Sequence, residues 1–232
     1  MSDRPQALLF DVQGTATDFH STVAGAARRI LGARYDLDWS RFVNDWRAAY
    51  FRGTKAAAAD RWVSVASIYR SALDDLLGEQ GLELPEPQRR ELTDSWKRLD
   101  PWPDAVAGLT RLRGAYTLAT LSNADVNAVV SISRHCDFPW HAVFAAEMAG
   151  AFKPDPRAYR MAAGYLGLEP SDIMMVASHK YDIRAAAELG FRTAFVARPR
   201  EFGDPALADV VFSDEFDINA ADFLDLAGQL GC

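Results

Sequence analysis

The stretch Ala7-Leu8-Leu9-Phe10-Asp11-Val12-Gln13-Gly14-Thr15 decides how the rest of the chain is read. Four apolar residues without alternation describe a strand buried on both faces, the habit of a parallel sheet. The run stops at a carboxylate followed by Gly14-Thr15, a turn signal whose amides can face an anion. Similar runs recur at 116–121, 173–176 and 193–196, with a weaker one at 210–212. Helical periodicity fills the gaps over 104–113, 125–135, 156–166 and 183–189, and Gly190 suits a helix C-terminus. Strand and helix alternating in this way predict an α/β fold, a doubly wound Rossmann-like parallel sheet.

Residues 18–100 read differently. They carry helical patterns near 21–31, 39–51, 59–77 and 87–99 and no convincing strand, with joints at Leu37-Asp38 and Pro85-Glu86-Pro87. A helical block entering after the first strand emerges at the carboxyl edge of the sheet, where open α/β sheets bind ligands. The expected organisation is therefore a core domain of residues 1–17 and 101–232, with 18–100 inserted as a helical cap domain able to exclude water.

Composition narrows the function. The chain has 232 residues, 49% hydrophobic and 25% charged, with a formal net charge of −7. That balance argues against a nucleic-acid or anionic-membrane partner, which would need clustered Lys and Arg. The only cysteines, Cys136 and Cys232, make neither a disulfide framework nor a zinc site. With no signal-peptide pattern and no long apolar run, the expected location is the cytoplasm.

The polar residues that could do chemistry follow the strands. Asp11, at the edge of the first, can act as a nucleophile forming an ester, or simply occupy a turn. Ser122-Asn123 follow the second and can donate to an oxyanion or cap the next helix. Lys153 is pinned by Pro154 and Pro156. Ser178-His179-Lys180-Tyr181-Asp182 follow the third, with Asp182 in the first turn of a helix, where an acid is favoured in any case. Each signal is weak alone; four polar clusters on one sheet edge are stronger together.

These residues resemble the haloacid dehalogenase superfamily of aspartate-nucleophile hydrolases. Phe10-Asp11-Val12-Gln13-Gly14-Thr15, Leu121-Ser122-Asn123, Phe152-Lys153-Pro154-Asp155 and Ser178 to Asp182 match its four motifs in order and spacing. Within it the chain looks most like the L-2-haloacid dehalogenase (type II) branch. Phosphatases of the superfamily carry a second Asp where this chain has Gln13, and Gly-Asp where it has Ala177-Ser178. Gln13 has no proton to give a leaving group.

The resemblance implies that Asp11 attacks carbon 2 of a short 2-haloacid, a small carboxylate. Water then hydrolyses the ester to the 2-hydroxy acid with inverted configuration. It implies that Lys153 keeps Asp11 ionised, that Asp182 positions Lys153 and helps activate the water, and that Thr15 and Ser122 bond the nucleophile or the substrate carboxylate. Arg47 and Asn123 would receive the halide, Tyr159 would support the site, and Val12, Gln13, Ser178 and His179 would border the substrate. His179 either orients the water or caps its helix. Arg47 has an ordinary reading as a surface arginine. The aromatics Trp39, Trp46, Tyr50, Phe51, Trp62 and Tyr69 read as core, with Phe19 and Trp62 the two nearest to a substrate role. No cofactor is implied; magnesium enters only if the chain is a phosphatase. A homodimer is usual for the branch, although no feature of the sequence demands one.

Three other readings remain open at this level. One is the same aspartate chemistry on a different leaving group, such as the ring nitrogen of azetidine-2-carboxylate beside Gln13. The second is a magnesium-dependent small-metabolite phosphatase. The third is a binding protein without catalysis. The sequence does not choose a halogen, a chain length or a physiological substrate.

Overall fold

The computed structural model describes residues 4–56 and 62–232. In chain order the elements begin with strand β1 (Ala7–Phe10), strand β2 (Thr17–Asp18) and helices α1 (Phe19–Leu31), α2 (Trp39–Ala56), α3 (Val65–Glu79) and α4 (Glu86–Asp94). Strand β3 (Asp100–Pro101), helix α5 (Ala105–Arg113), strand β4 (Thr117–Ser122), helix α6 (Val126–Cys136), strand β5 (Ala142–Ala145) and helix α7 (Ala146–Ala149) come next. Helix α8 (Pro156–Leu166), strand β6 (Ile173–Ala177), helix α9 (Lys180–Glu188), strand β7 (Arg192–Val196), strand β8 (Ile218–Ala220) and helix α10 (Phe223–Gln229) complete the chain.

Six strands form one parallel sheet in the order β5-β4-β1-β6-β7-β8. The central strand β1 is fully buried, with Leu8 and Phe10 in one apolar cluster and Leu9 in the cluster on the opposite face. Parallel pairing needs crossover helices on both faces, which is why the run at Ala7–Phe10 has no polar side. β1 pairs on one side with β4 and on the other with β6, so their carboxyl ends meet at a switch point in strand order.

The chain leaves the sheet through β2 and returns through β3, and these two short strands pair antiparallel, Thr17 opposite Pro101 and Asp18 opposite Asp100. Helices α1–α4 lie between them. Their facing sides hold Phe19, Phe42, Trp46 and Tyr69, joined by Trp96 from the turn after α4, all buried. Tyr69 stacks on Trp96 at 4.1 Å and on Tyr50 at 4.4 Å, contacts that aromatic pairs favour beyond simple burial.

Several expected elements differ in the structure. Residues 210–212 form no strand; Val211 and Phe212 are exposed, and the edge strand is β8 instead. Asp217 accepts hydrogen bonds from the Thr193 amide and hydroxyl, so the chain docks on β7 only from that point onward. Strand β5 has no counterpart among the expected runs, because a four-residue Ala-rich edge segment carries little period. The helix expected over 59–77 begins at Val65 among the described residues, since Ser64 caps it by accepting from Ser67 N at 3.1 Å; its first residues, 59–61, lie outside them. The helix expected over 87–99 stops at Asp94 and continues as a 3-10 turn over Ser95–Lys97. No described helix is long and apolar enough to cross a membrane.

Candidate active site

Asp11 continues the β1 ladder by donating its amide to Val176 O at 3.0 Å, so its side chain leaves the sheet at the carboxyl edge. The following turn is closed by Val12 O, which accepts from the amides of Ala16 and Thr17 and from the Thr17 hydroxyl. Thr15 thereby comes back over Asp11 and donates its hydroxyl to Asp11 Oδ2 at 2.8 Å. The same hydroxyl accepts from the Ser178 amide at 3.0 Å, which ties the first loop to the loop after β6.

Lys153 is the centre of the charge arrangement. Its ammonium, 1% exposed, donates to Asp11 Oδ1 at 3.1 Å and to Asp182 Oδ2 at 2.5 Å. The Tyr159 hydroxyl donates to the other Asp182 oxygen at 2.5 Å. Burial alone would raise the Asp11 pKa, but Lys153, His179 and Thr15 together outweigh it and hold the carboxyl well below its ordinary range. Burial works to lower the Lys153 pKa, and its two carboxylates raise it further than burial lowers it. Asp182, without a second cation, is pushed upward by its burial. Of the two acids, Asp11 is the one kept as an anion next to open space.

That space is a cavity of about 10 Å³ lined by Asp11, Gln13, Arg47, Tyr50, Phe51, Ser122, Asn123, Lys153, His179 and Tyr181. It is about the size of one water. A far larger open groove of about 1300 Å³ runs along α2 and α3 but contains none of these groups, so volume does not locate the chemistry here.

Arg47 reaches the cavity from α2 and is buried. Its guanidinium lies 4.9 Å from the centroid of Phe19, 4.9 Å from Tyr50 and 4.8 Å from Phe51, an aromatic collar suited to a cation. It donates to Gln13 Oε1 at 3.0 Å and to the Tyr69 hydroxyl, while its Nε has no partner among the described residues. Arg47 is thus no surface arginine, and Tyr50, Phe51 and Tyr69 are site residues as well as packing. Ser122 Oγ is likewise buried without a partner among the described residues, a donor available to a ligand.

Other expected residues take different places. Asn123, expected beside the halide, spends its amide on the Lys153 backbone: Oδ1 accepts from Lys153 N at 2.7 Å and Nδ2 donates to Lys153 O at 3.0 Å. It fixes the lysine and also lines the cavity. Val12 does not line the cavity; its side chain belongs to the core and its carbonyl closes the turn. Tyr159 lies beneath the cavity against Asp182, and Ser178 contributes its amide through Thr15. Trp62 packs against Phe152 with ring centroids 4.5 Å apart, outside the cavity lining.

Glu201 was not anticipated. It follows β7 in a turn, is 4% exposed, and its Oε1 lies 2.7 Å from His179 Nε2. His179 Nδ1 lies 3.4 Å from Asp11 Oδ2. The loop after β7 opens on the same edge as the other site loops, so the rule that finds Asp11, Ser122 and Asp182 also reaches Glu201 when applied to the fourth strand. Gly14 makes room for it: φ is +96°, and a Cβ there would collide with Glu201 Oε1.

The donor set does not suit magnesium. Both Asp11 oxygens already face Lys153, Thr15 and His179, the neighbouring side chain is the neutral Gln13, and its carbonyl oxygen is taken by Arg47 and Tyr69. No group of three or more His, Cys, Asp or Glu side chains among the described residues is arranged to hold a metal ion. Hard divalent cations need several oxygen ligands free to converge.

A family model for haloacid dehalogenase-like hydrolases matches residues 5–190. The chain belongs to the haloacid dehalogenase-like hydrolases. Among curated relatives of this hydrolase, the (S)-2-haloacid dehalogenase of Xanthobacter autotrophicus is 30% identical over 200 residues, covering 83% of this chain and 75% of its own. The (S)-2-haloacid dehalogenase 4A of Burkholderia cepacia is 29% identical over 202 residues, 85% of each chain. Among solved structures, a defluorinating L-2-haloacid dehalogenase superposes with a TM-score of 0.94 at 32% identity, covering 100% of both chains. Another L-2-haloacid dehalogenase gives 0.88 at 36% identity, covering 98% of this chain and 100% of its own.

Proposed function

We propose that this hydrolase is a metal-independent (S)-2-haloacid dehalogenase, with residues 18–100 acting as the cap and Asp11 as the nucleophile. One observation carries the reading. An ionised carboxylate faces a small cavity that a buried arginine also lines, with the neutral Gln13 in place of a second carboxylic acid. Halide departure needs negative charge stabilised and no proton donated, which is what Arg47 offers.

Asp11 attacks carbon 2 in line as the carbon–halogen bond breaks, so that carbon inverts and the halide leaves toward Arg47. The Ser122 hydroxyl, buried without a partner among the described residues, would bond the substrate carboxylate. Water then adds to Cγ of the Asp11 ester, with Lys153 and Thr15 stabilising the oxygen charge that develops there. The 2-hydroxy acid leaves and Asp11 is restored. Gln13 Oε1 is not free to accept from a ring ammonium, since it already accepts from Arg47 and Tyr69, and azetidine opening is not favoured.

The test is halide release from L-2-chloropropionate with EDTA present. Wild type should turn over and Asp11→Asn should not, and a single turnover in ¹⁸O-water should place label in Asp11 rather than directly in the product. Turnover that requires magnesium, or label passing straight to the product, would overturn the proposal.

A further inference from the structure

Ester formation accounts for Asp11, Lys153, Arg47 and Ser122 and leaves one buried charged pair without a task. His179 lies with Nε2 on Glu201 and Nδ1 toward Asp11, and it lines the cavity. Asp182 is the acid that the family resemblance points to for activating water, but both of its oxygens are occupied, by Lys153 and Tyr159. It is fully buried and does not line the cavity. A base must reach the water whose proton it takes. Among the described residues that line the cavity, His179 presents such a group in the ring nitrogen facing Asp11.

We propose that His179 is the general base for hydrolysis of the Asp11 ester, that Glu201 is its positioning residue, and that esterification itself converts His179 from acid to base. This rests on the dehalogenase reading above.

In the resting site His179 lies between two carboxylates. Burial would lower its pKa, and Glu201 and Asp11 raise it to about 10, so both ring nitrogens carry protons. The groups facing it are Glu201 from the turn after β7, Asp11 from β1 and the Tyr181 ring at 5.8 Å, with Lys153 behind Asp11. Alkylation makes the Asp11 oxygen–carbon 2 bond and breaks the carbon–halogen bond, whose electron pair leaves as halide. Asp11 is then neutral, and the Nδ1 proton has lost its anion. That proton passes to solvent, and Glu201 keeps the one on Nε2. Water adds to Cγ and gives one proton to Nδ1. Collapse breaks the bond from Cγ to the oxygen on carbon 2, and that oxygen takes the second proton of the water. Ionised Asp11 and protonated His179 return, and the cycle has released one halide and one proton.

The experiment follows halide and the intact mass of the protein after rapid mixing with L-2-chloropropionate. In His179→Asn and in Glu201→Gln we expect a burst of about one halide per site, which also certifies folding, followed by turnover slower by about ten-fold or more. A propionyl adduct on Asp11 should accumulate, and added imidazole should speed its decay in His179→Gly. An adduct that decays at the wild-type rate in both variants, or a burst lost together with turnover in both, overturns the assignment. Wild type that releases no halide overturns the dehalogenase reading itself, a failure distinguishable from the other two.

Discussion

Lys153 places one positive charge between two buried carboxylates, and that ratio sets its energetic role. Removing one partner of a buried ion pair costs about 3–5 kcal/mol, because the remaining charge is left without compensation. Lys153→Met leaves Asp182 without a cation and Asp11 with His179 alone. It should lose at least that order of stability at neutral pH in denaturant titrations, and the loss should shrink as acid protonates Asp11 and Asp182. A loss independent of pH would mean that the methionine merely packs badly. Gly14 offers a second test at this scale, since an alanine there carries both backbone strain at φ +96° and a clash with Glu201. The clash term should vanish in a double-mutant cycle with Glu201→Ala, leaving about 1–3 kcal/mol for the strained backbone. Additive losses would show that the side chains do not meet. Asp11, Lys153 and Asp182 could be read from sequence because each follows a strand or a rigid turn. Glu201 follows the fourth strand and falls under the same rule, whereas Arg47 needed the collar of Phe19, Tyr50 and Phe51 before its burial made sense.

At the scale of elements, the inserted helices are held to the sheet by a cap donated across the boundary. Asp125 stands at the N-terminus of α6 but does not cap that helix. Its two oxygens accept from Val65 N at 2.9 Å and Ala66 N at 2.8 Å, the first amides of α3. Glu147 takes over at α6, accepting from Val126 N at 2.7 Å. An N-cap removed by alanine costs about 0.5–2 kcal/mol, and the dipole of α3 adds to the value of a full negative charge there. Asp125→Ala should therefore speed hydrogen exchange at Val65 and Ala66 while leaving Val126 protected. Faster exchange at Val126 instead would mean that the carboxylate serves its own helix. Local chemistry suggests that second role, since an Asp ahead of a helical run reads as its cap. The actual partner lies 60 residues away in sequence and becomes visible only in three dimensions. The amphipathic helices themselves were readable, and their errors cluster at the ends, where Ser64 and the turn over Ser95–Lys97 shift the boundary.

Across the whole molecule, pH acts on the site in two directions. His179, raised from an ordinary 6.5 to about 10, contributes stability in full below pH 6.5 and loses it as pH rises through 10. Asp11, held low, contributes above its ordinary 3.8 and loses that contribution as pH falls. Melting temperatures of wild type and His179→Asn should therefore converge as pH rises from 6.5 toward 10. A constant gap would place the imidazolium elsewhere. The parallel sheet is evident from four mainly apolar runs, yet its two edges are not. β5 and β8 are short and half covered, so packing against a single neighbour defines them more than composition does.

The pairing of β2 with β3 has a consequence on a longer timescale. The two ends of the inserted segment are fastened side by side, so its interior can be lengthened, shortened or replaced without disturbing the register of β1. Loop-closure entropy grows only slowly with length once the ends are held. The insertion therefore has the properties of an exchangeable cassette. A lineage could acquire a new substrate by substituting these helices while inheriting its nucleophile, lysine and second acid unchanged from the frame beneath.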